Sequence, residues 1–112
     1  MIYLATPYSH PSAAVMEARF VAACHVAGAL MARGEVVFCP IAHSHPIQTR
    51  CPLPGDLKFW VRQDFAHMAY CDKVLVVKMP GWEESKGVAA EIARALRLGI
   101  PVEYMEYLPA LF

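Results

Sequence analysis

The chain predicts a three-layer α/β domain built on a parallel sheet, and three observations carry that prediction. Short apolar runs alternate along the chain with stretches of helical periodicity, the pattern of strand–helix–strand units with helices on both faces. Capping residues, glycine and proline fall at the joints between them. Strand–crossover–strand connections within one sheet are right-handed, which leaves few arrangements of four such strands.

IYLAT, near the start, reads as the first strand. Ser9 or His10 then stands where a helix is capped, and Pro11 suits a first helical turn. Met16, Phe20, Cys24, Ala27 and Met31 recur at helical spacing, and Gly34 ends the helix. EVVFC is the second strand, and PIAHSHPIQTRCPLPG, rich in proline and histidine, reads as a long loop. Asp56 caps a second helix, DLKFWVRQDFAHMAY, which leads into a third strand, KVLVVKM. PGWEES is a loop, KGVAAEIARALRL is a third helix ended by Gly99, and Pro101 opens a last strand, PVEYMEY. The expected topology is four parallel strands in the order 2-1-3-4, an open flavodoxin/Rossmann-like sheet with its switch point between strands 1 and 3. Ligands of such sheets bind beyond the carboxyl ends of the strands at that point. Three loops meet there: ATPYSH, CPIAHSHPI and MPGWEES.

Composition narrows the function. The 112 residues are enough for a single domain, residues 1–112, with one core. The chain is 57% hydrophobic, more apolar surface than so small a core needs, so a homodimer or higher homo-oligomer is expected. A formal net charge of zero argues against a nucleic acid polymer as partner, since phosphate-backbone binders carry a basic excess. It leaves a single nucleotide open. MIYLATPYSH has no basic region followed by a long apolar run. The longest apolar stretch, VAACHVAGALMA, is interrupted by His25 and too short to span a bilayer. A cytoplasmic protein with no membrane partner is expected. Its four cysteines, Cys24, Cys39, Cys51 and Cys71, are then free thiols.

Two carboxylates occupy unusual places. Leu57, Trp60, Val61, Phe65 and Met68 form the apolar face of the second helix, and Asp64 lies within that face. A carboxylate there is either buried and paired, with Arg19 or Arg62, or it faces a pocket. In the third helix Val88, Ala89, Ile92, Ala95 and Leu96 form the apolar stripe, and Glu91 sits at its edge. An exposed pair with Arg94 or Lys86 is the plain alternative for Glu91. Ser85 is an ordinary N-cap or, with the free amides after it, an anion site suited to a phosphate. Two carboxylates flanking one small pocket are what glycosidic bond cleavage requires: one meets the anomeric carbon, the other protonates the leaving group.

IYLATPYS, RQDFAHMAYCDKVLVV and GWEESKGVAAEIARALRLGIPV, in that order, resemble the nucleoside 2-deoxyribosyltransferase superfamily, which includes the deoxynucleoside 5′-monophosphate N-glycosidases. The closest likeness is to a small bacterial and phage branch with a Gly-Trp-x-x-Ser-x-Gly turn. The resemblance implies that Glu91 is the nucleophile, in the context Ser85, Gly87, Glu91. It implies that Asp64, eight residues before Asp72, binds and protonates the base. It implies that Tyr3 supports the catalytic Glu91 and that Ser85 holds a 5′-phosphate. The first loop, ATPYSHP, departs from the family in lacking a glycine-rich turn. No cofactor is implied.

Around these residues, Tyr8, Ser9 and Trp82 are expected as pocket walls or substrate contacts. His43 or His45 would hydrogen-bond the base and Trp60 would stack on it, unless SHPI is simply a turn fixed by Pro46. Cys39, His43, His45 and Cys51 mix ligand types that suit zinc, but their spacing matches no common zinc pattern, and no metal is assigned. Tyr104, Tyr107 and Phe112 read as core or dimer contacts. Three functions remain in view: cleavage or transfer of an N-glycosidic bond in a nucleoside or nucleoside 5′-monophosphate, a non-catalytic nucleotide-binding or sensor module on the same fold, and a zinc-stabilised interaction protein.

Overall fold

Ile2 to Ala5 are buried on both sides of the strand they form, β1 (Ile2–Ala5), which places it at the centre of the sheet. The computed structural model describes residues 1–109, so the expectation for Phe112 lies outside the described residues. After β1 come α1 (Ala13–Ala32), β2 (Val37–Phe38), α2 (Pro40–Gln48), α3 (Leu57–Met68), β3 (Lys73–Lys78), α4 (Lys86–Leu98) and β4 (Val102–Glu106). The four strands are all parallel and run in the order β2-β1-β3-β4. Tyr3 pairs with Phe38 on one side and Val74 on the other, and Val76 pairs with Tyr104 at the far edge. Fold class and strand order are those expected.

Strand alternation divides the core into two layers, because successive side chains point to opposite faces. Ile2, Leu4, Leu75 and Val77 pack under Ala23, Val26, Ala27 and Leu30 of α1, with Ile41 and Ala42 of α2 beside them. Tyr3, Ala5, Val74 and Val76 pack against Met68 of α3 and Val88 and Ala95 of α4. Helices therefore cover both faces.

Five details differ from the sequence expectation. The segment read as a long loop begins with α2: Pro40 sits in its first turn, where a fixed φ helps and a missing N–H costs nothing. Pro46 lies inside this helix rather than in a turn. α1 starts later than expected, capped by Ser12, whose Oγ accepts from Val15 N at 3.3 Å. Its buried stripe is Ala23, Val26, Ala27 and Leu30, so Met31 is exposed. The 20 residues of α1 are also long and apolar enough, by length and composition, to cross a membrane, whereas the apolar run alone looks too short. Asp56 and Ser85 cap α3 and α4 as expected, through Phe59 N at 2.9 Å and Val88 N at 3.1 Å. Gly99 ends α4 in the left-handed region at φ 70°, where glycine carries no Cβ penalty.

Candidate active site

The segments that follow β1, β2 and β3 meet over the carboxyl edge of the sheet, where α3 joins them, and a cavity of about 590 Å³ opens between them. Thr6, Tyr8 and Ser9 come from the first segment, Ser44 and His45 from α2, and Ser85 and Gly87 from the start of α4. Trp60 and Asp64 of α3 and Glu91 of α4 complete it.

Glu91 is nearly inaccessible, 7% exposed. It lies one turn beyond Val88 and one turn before Ala95, in the middle of the buried stripe of α4. Ala89 and Leu96, expected in that stripe, are exposed instead. The helix is thus rotated to bury a carboxylate in place of two apolar side chains. The Tyr3 hydroxyl, itself fully buried on β1, donates a hydrogen bond to Glu91 Oε2. No ion pair reaches Glu91 or Asp64 among the described residues. Two of the arginines proposed as their partners make other contacts. Arg19 Nη1 donates to the carbonyls of Tyr8 and Ser9, at 3.3 and 2.9 Å. The Arg94 guanidinium lies 5.5 Å from the centre of the Phe65 ring.

Burial raises both carboxyls. Glu91 is pushed up to about 8: loss of hydration dominates, the Tyr3 hydrogen bond opposes it, and the nearby Asp64 adds to it. Asp64 is pushed up to about 6 by burial, with His67 holding it lower. The two interact, so over the interval between these values they share about one proton as a pair. One carboxyl able to give a proton beside one able to attack or balance a cation is a general acid and nucleophile arrangement. The Tyr3 phenol is driven far above its ordinary value by burial and by Glu91, so it stays a donor.

Of the residues expected at the site, Glu91, Asp64, Ser85, Gly87, Tyr8, Ser9, His45 and Trp60 line this one cavity. Tyr3 stands behind it through Glu91. Trp82 does not line it: its ring packs 5.8 Å from Tyr104 and against the core under α4. His45 lines the cavity, but both ring nitrogens are engaged inside the protein, Nδ1 with Tyr8 Oη and Nε2 with Glu17 Oε2, each at 2.6 Å. It is therefore not a free donor to a base.

The proposed zinc ligands do not converge. His45 is committed as described, Cys51 is exposed, and burial pushes the Cys39 thiol up to about 11. Among the described residues no group of three His, Cys, Asp or Glu side chains is placed to hold a metal ion. Tyr104 is half-exposed at the β4 edge, and Tyr107 packs on the margin of the core under α1.

Two contributors were missed. Thr6 directly follows β1, and its buried Oγ1 has no hydrogen-bond partner among the described residues; the Trp60 indole Nε1 is in the same condition. The carboxyl-end rule for parallel sheets points to Thr6. Glu17 carried no signal, because its role depends on α2, which the sequence did not reveal.

No curated protein matches the chain. A family model described as a domain of unknown function, DUF1937, matches residues 1–107, and the chain belongs to that family.

Proposed function

We propose that the protein cleaves the N-glycosidic bond of a nucleoside or nucleoside 5′-monophosphate, with Glu91 as nucleophile and Asp64 as acid and base. The observation that supports this reading best is the placing on one cavity of two carboxyls, buried Glu91 and half-buried Asp64, neither with an ion-pair partner among the described residues, the first held by a fully buried tyrosine. The resemblance to the nucleoside 2-deoxyribosyltransferase superfamily gives the same residues the same roles. Thr6 Oγ1 and Trp60 Nε1, buried and without a partner among the described residues, lie on residues that line the cavity and are groups a polar ligand would satisfy.

The first step uses the form of the pair with its shared proton on Asp64, although Glu91 is the more strongly raised of the two: a Glu91 oxygen bonds to C1′ as the bond from C1′ to the base nitrogen breaks, and the Asp64 proton passes to the departing base. In the second, water attacks C1′, gives its proton to Asp64 and releases Glu91. Hydrolysis of a deoxynucleoside monophosphate is preferred over transfer to a second base. Ser85 and the first amides of α4 would hold the sugar or its phosphate. The protein would act as a cytoplasmic homodimer without a cofactor; four free cysteines support a reducing compartment.

The test is chromatographic detection of free base from ribo- and deoxynucleosides and their 5′-monophosphates. Wild-type protein is expected to release base, and Glu91→Ala and Asp64→Asn to lose at least a hundredfold in rate. The rate should peak where the pair holds one proton, with limbs near pH 6 and pH 8. No release, even with an acceptor base added, would leave a non-catalytic nucleotide-binding module. An active Glu91→Ala protein would overturn the mechanism.

A further inference from the structure

The contacts of His45 carry a consequence that does not depend on glycosidic chemistry. His45 is 6% exposed and stacks on Phe20 at 4.4 Å between ring centres. Its Nε2 lies 2.6 Å from Glu17 Oε2 and its Nδ1 lies 2.6 Å from the Tyr8 hydroxyl. A carboxylate only accepts hydrogen bonds, so the nitrogen facing Glu17 must carry a proton. In a neutral imidazole the other nitrogen is then a lone pair, and the Tyr8 O–H must donate to it. Burial and the Glu17 charge both raise the Tyr8 phenol above its ordinary value, which keeps that proton in place. With its only hydrogen committed, the Tyr8 oxygen presents only lone pairs elsewhere. No described residue donates to it, and Tyr8 lines the cavity.

We propose that Glu17, His45 and Tyr8 form a one-way hydrogen-bond chain that fixes the Tyr8 oxygen as an acceptor on the cavity wall, selecting ligands that place a hydroxyl or amino group there. Tyr8 is then a specificity-determining contact, while His45 and Glu17 are positioning residues. The chain spans three segments: the loop after β1, α1 and α2. Arg19, on α1 like Glu17, fixes the backbone of the same loop through the Tyr8 and Ser9 carbonyls. A ligand offering only an acceptor at this wall would face lone pair against lone pair and leave the Tyr8 oxygen desolvated without a partner, which carries the full cost of an unmet polar group.

Nitrogen-15 NMR of the imidazole in ligand-free protein at pH 8 tests the direction of the chain. The expected spectrum shows His45 neutral, with a protonated Nε2 and a bare Nδ1. Glu17→Gln, whose amide can also donate, should weaken that tautomer preference while the fold, followed by amide shifts, is kept. A bare Nε2, or both nitrogens protonated at pH 8, would overturn the proposal, because Tyr8 would then be free to donate into the cavity. The second arm uses the nucleosides and 5′-monophosphates that perturb the wild-type amide spectrum. Tyr8→Phe should weaken those carrying a donor at the contact about three- to tenfold and leave matched analogues lacking that hydroxyl or amino group unchanged. Equal weakening of both members of each pair would overturn the selection. Failure of base release with the expected tautomer would remove the glycosidic reading and leave this one standing.

Discussion

Glu91 shows how one side chain sets conflicting demands on a small protein. Its carboxyl has an ordinary value of 4.5 and is raised to about 8 in the fold, chiefly by loss of water. Between those values the folded chain binds more protons than the unfolded chain, so this group makes stability fall as pH rises from about 4.5 to about 8. Below 4.5 the contribution vanishes, because both states are protonated. Asp64, raised from 3.8 to about 6, acts with the same sign over a narrower range. Glu91→Gln can still accept the Tyr3 hydrogen bond but does not titrate. It is expected to stabilise the protein by on the order of a few kcal/mol at pH 9 and to change little at pH 4. Thermal melts of both proteins across that range measure the difference. Equal melting temperatures at pH 9 would show that Glu91 ionises in the fold at no cost. A buried group that lowers stability yet sits on a cavity of about 590 Å³ marks a candidate functional site.

At the scale of elements, the turn between β3 and α4 does most to shape the site. Gly81 has φ of 90°, a conformation that L side chains rarely adopt, and a Cβ there would stand 2.4 Å from Arg19 Nη2. The same guanidinium holds the Tyr8 and Ser9 carbonyls, so this glycine lets two rim segments approach one another. Gly81→Ala is expected to cost about 1–2 kcal/mol from backbone strain and to displace Arg19, loosening the Tyr8 loop. Denaturant titration gives the first quantity and amide shifts of residues 6–10 the second. An alanine variant with wild-type stability and unmoved shifts would show that the turn needs no glycine. At Gly87, by contrast, a Cβ would meet only Ser85 Oγ at 3.8 Å, ordinary contact. Glycine there keeps the cavity wall low without relieving strain. The caps and strands of this region were legible in the sequence because they rest on local rules: Ser85 before a helix, Gly99 after it, β-branched residues in β3. α2 was not, because two prolines and two histidines in nine residues oppose a helix locally, and its packing of Ile41 and Ala42 on the core prevails.

For the whole molecule, the two faces of the sheet carry different exposed apolar residues. Val21 and Met31 lie on α1, and Leu96 and Leu98 lie on α4, across the sheet from them. A two-fold dimer uses one self-complementary patch, so these two helices cannot share one interface within a dimer. Light scattering is expected to give twice the chain mass for the wild type. Either Val21→Glu or Leu96→Glu, but not both, should return it to the monomer. A monomeric wild type at micromolar concentration would remove the dimer from the proposed function.

The sequence by itself determined the architecture: a parallel α/β sheet in the order 2-1-3-4, because strand–helix alternation, capping and crossover handedness are local or nearly universal rules. It also marked Asp64 and Glu91 as carboxylates in apolar surroundings. Only the tertiary structure decided what those surroundings were. Periodicity counts a glutamate as polar, so it placed Glu91 at the edge of its stripe, while Tyr3 on a strand 88 positions away drew it to the centre. Trp82 was assigned to the cavity by its place in the turn, but packing against Tyr104 took it to another surface. His45 looked like a free ligand group until Glu17 and Tyr8 occupied both its nitrogens. Each of these outcomes depends on partners distant in sequence, and burial and hydrogen bonding between such partners are properties of the folded chain alone.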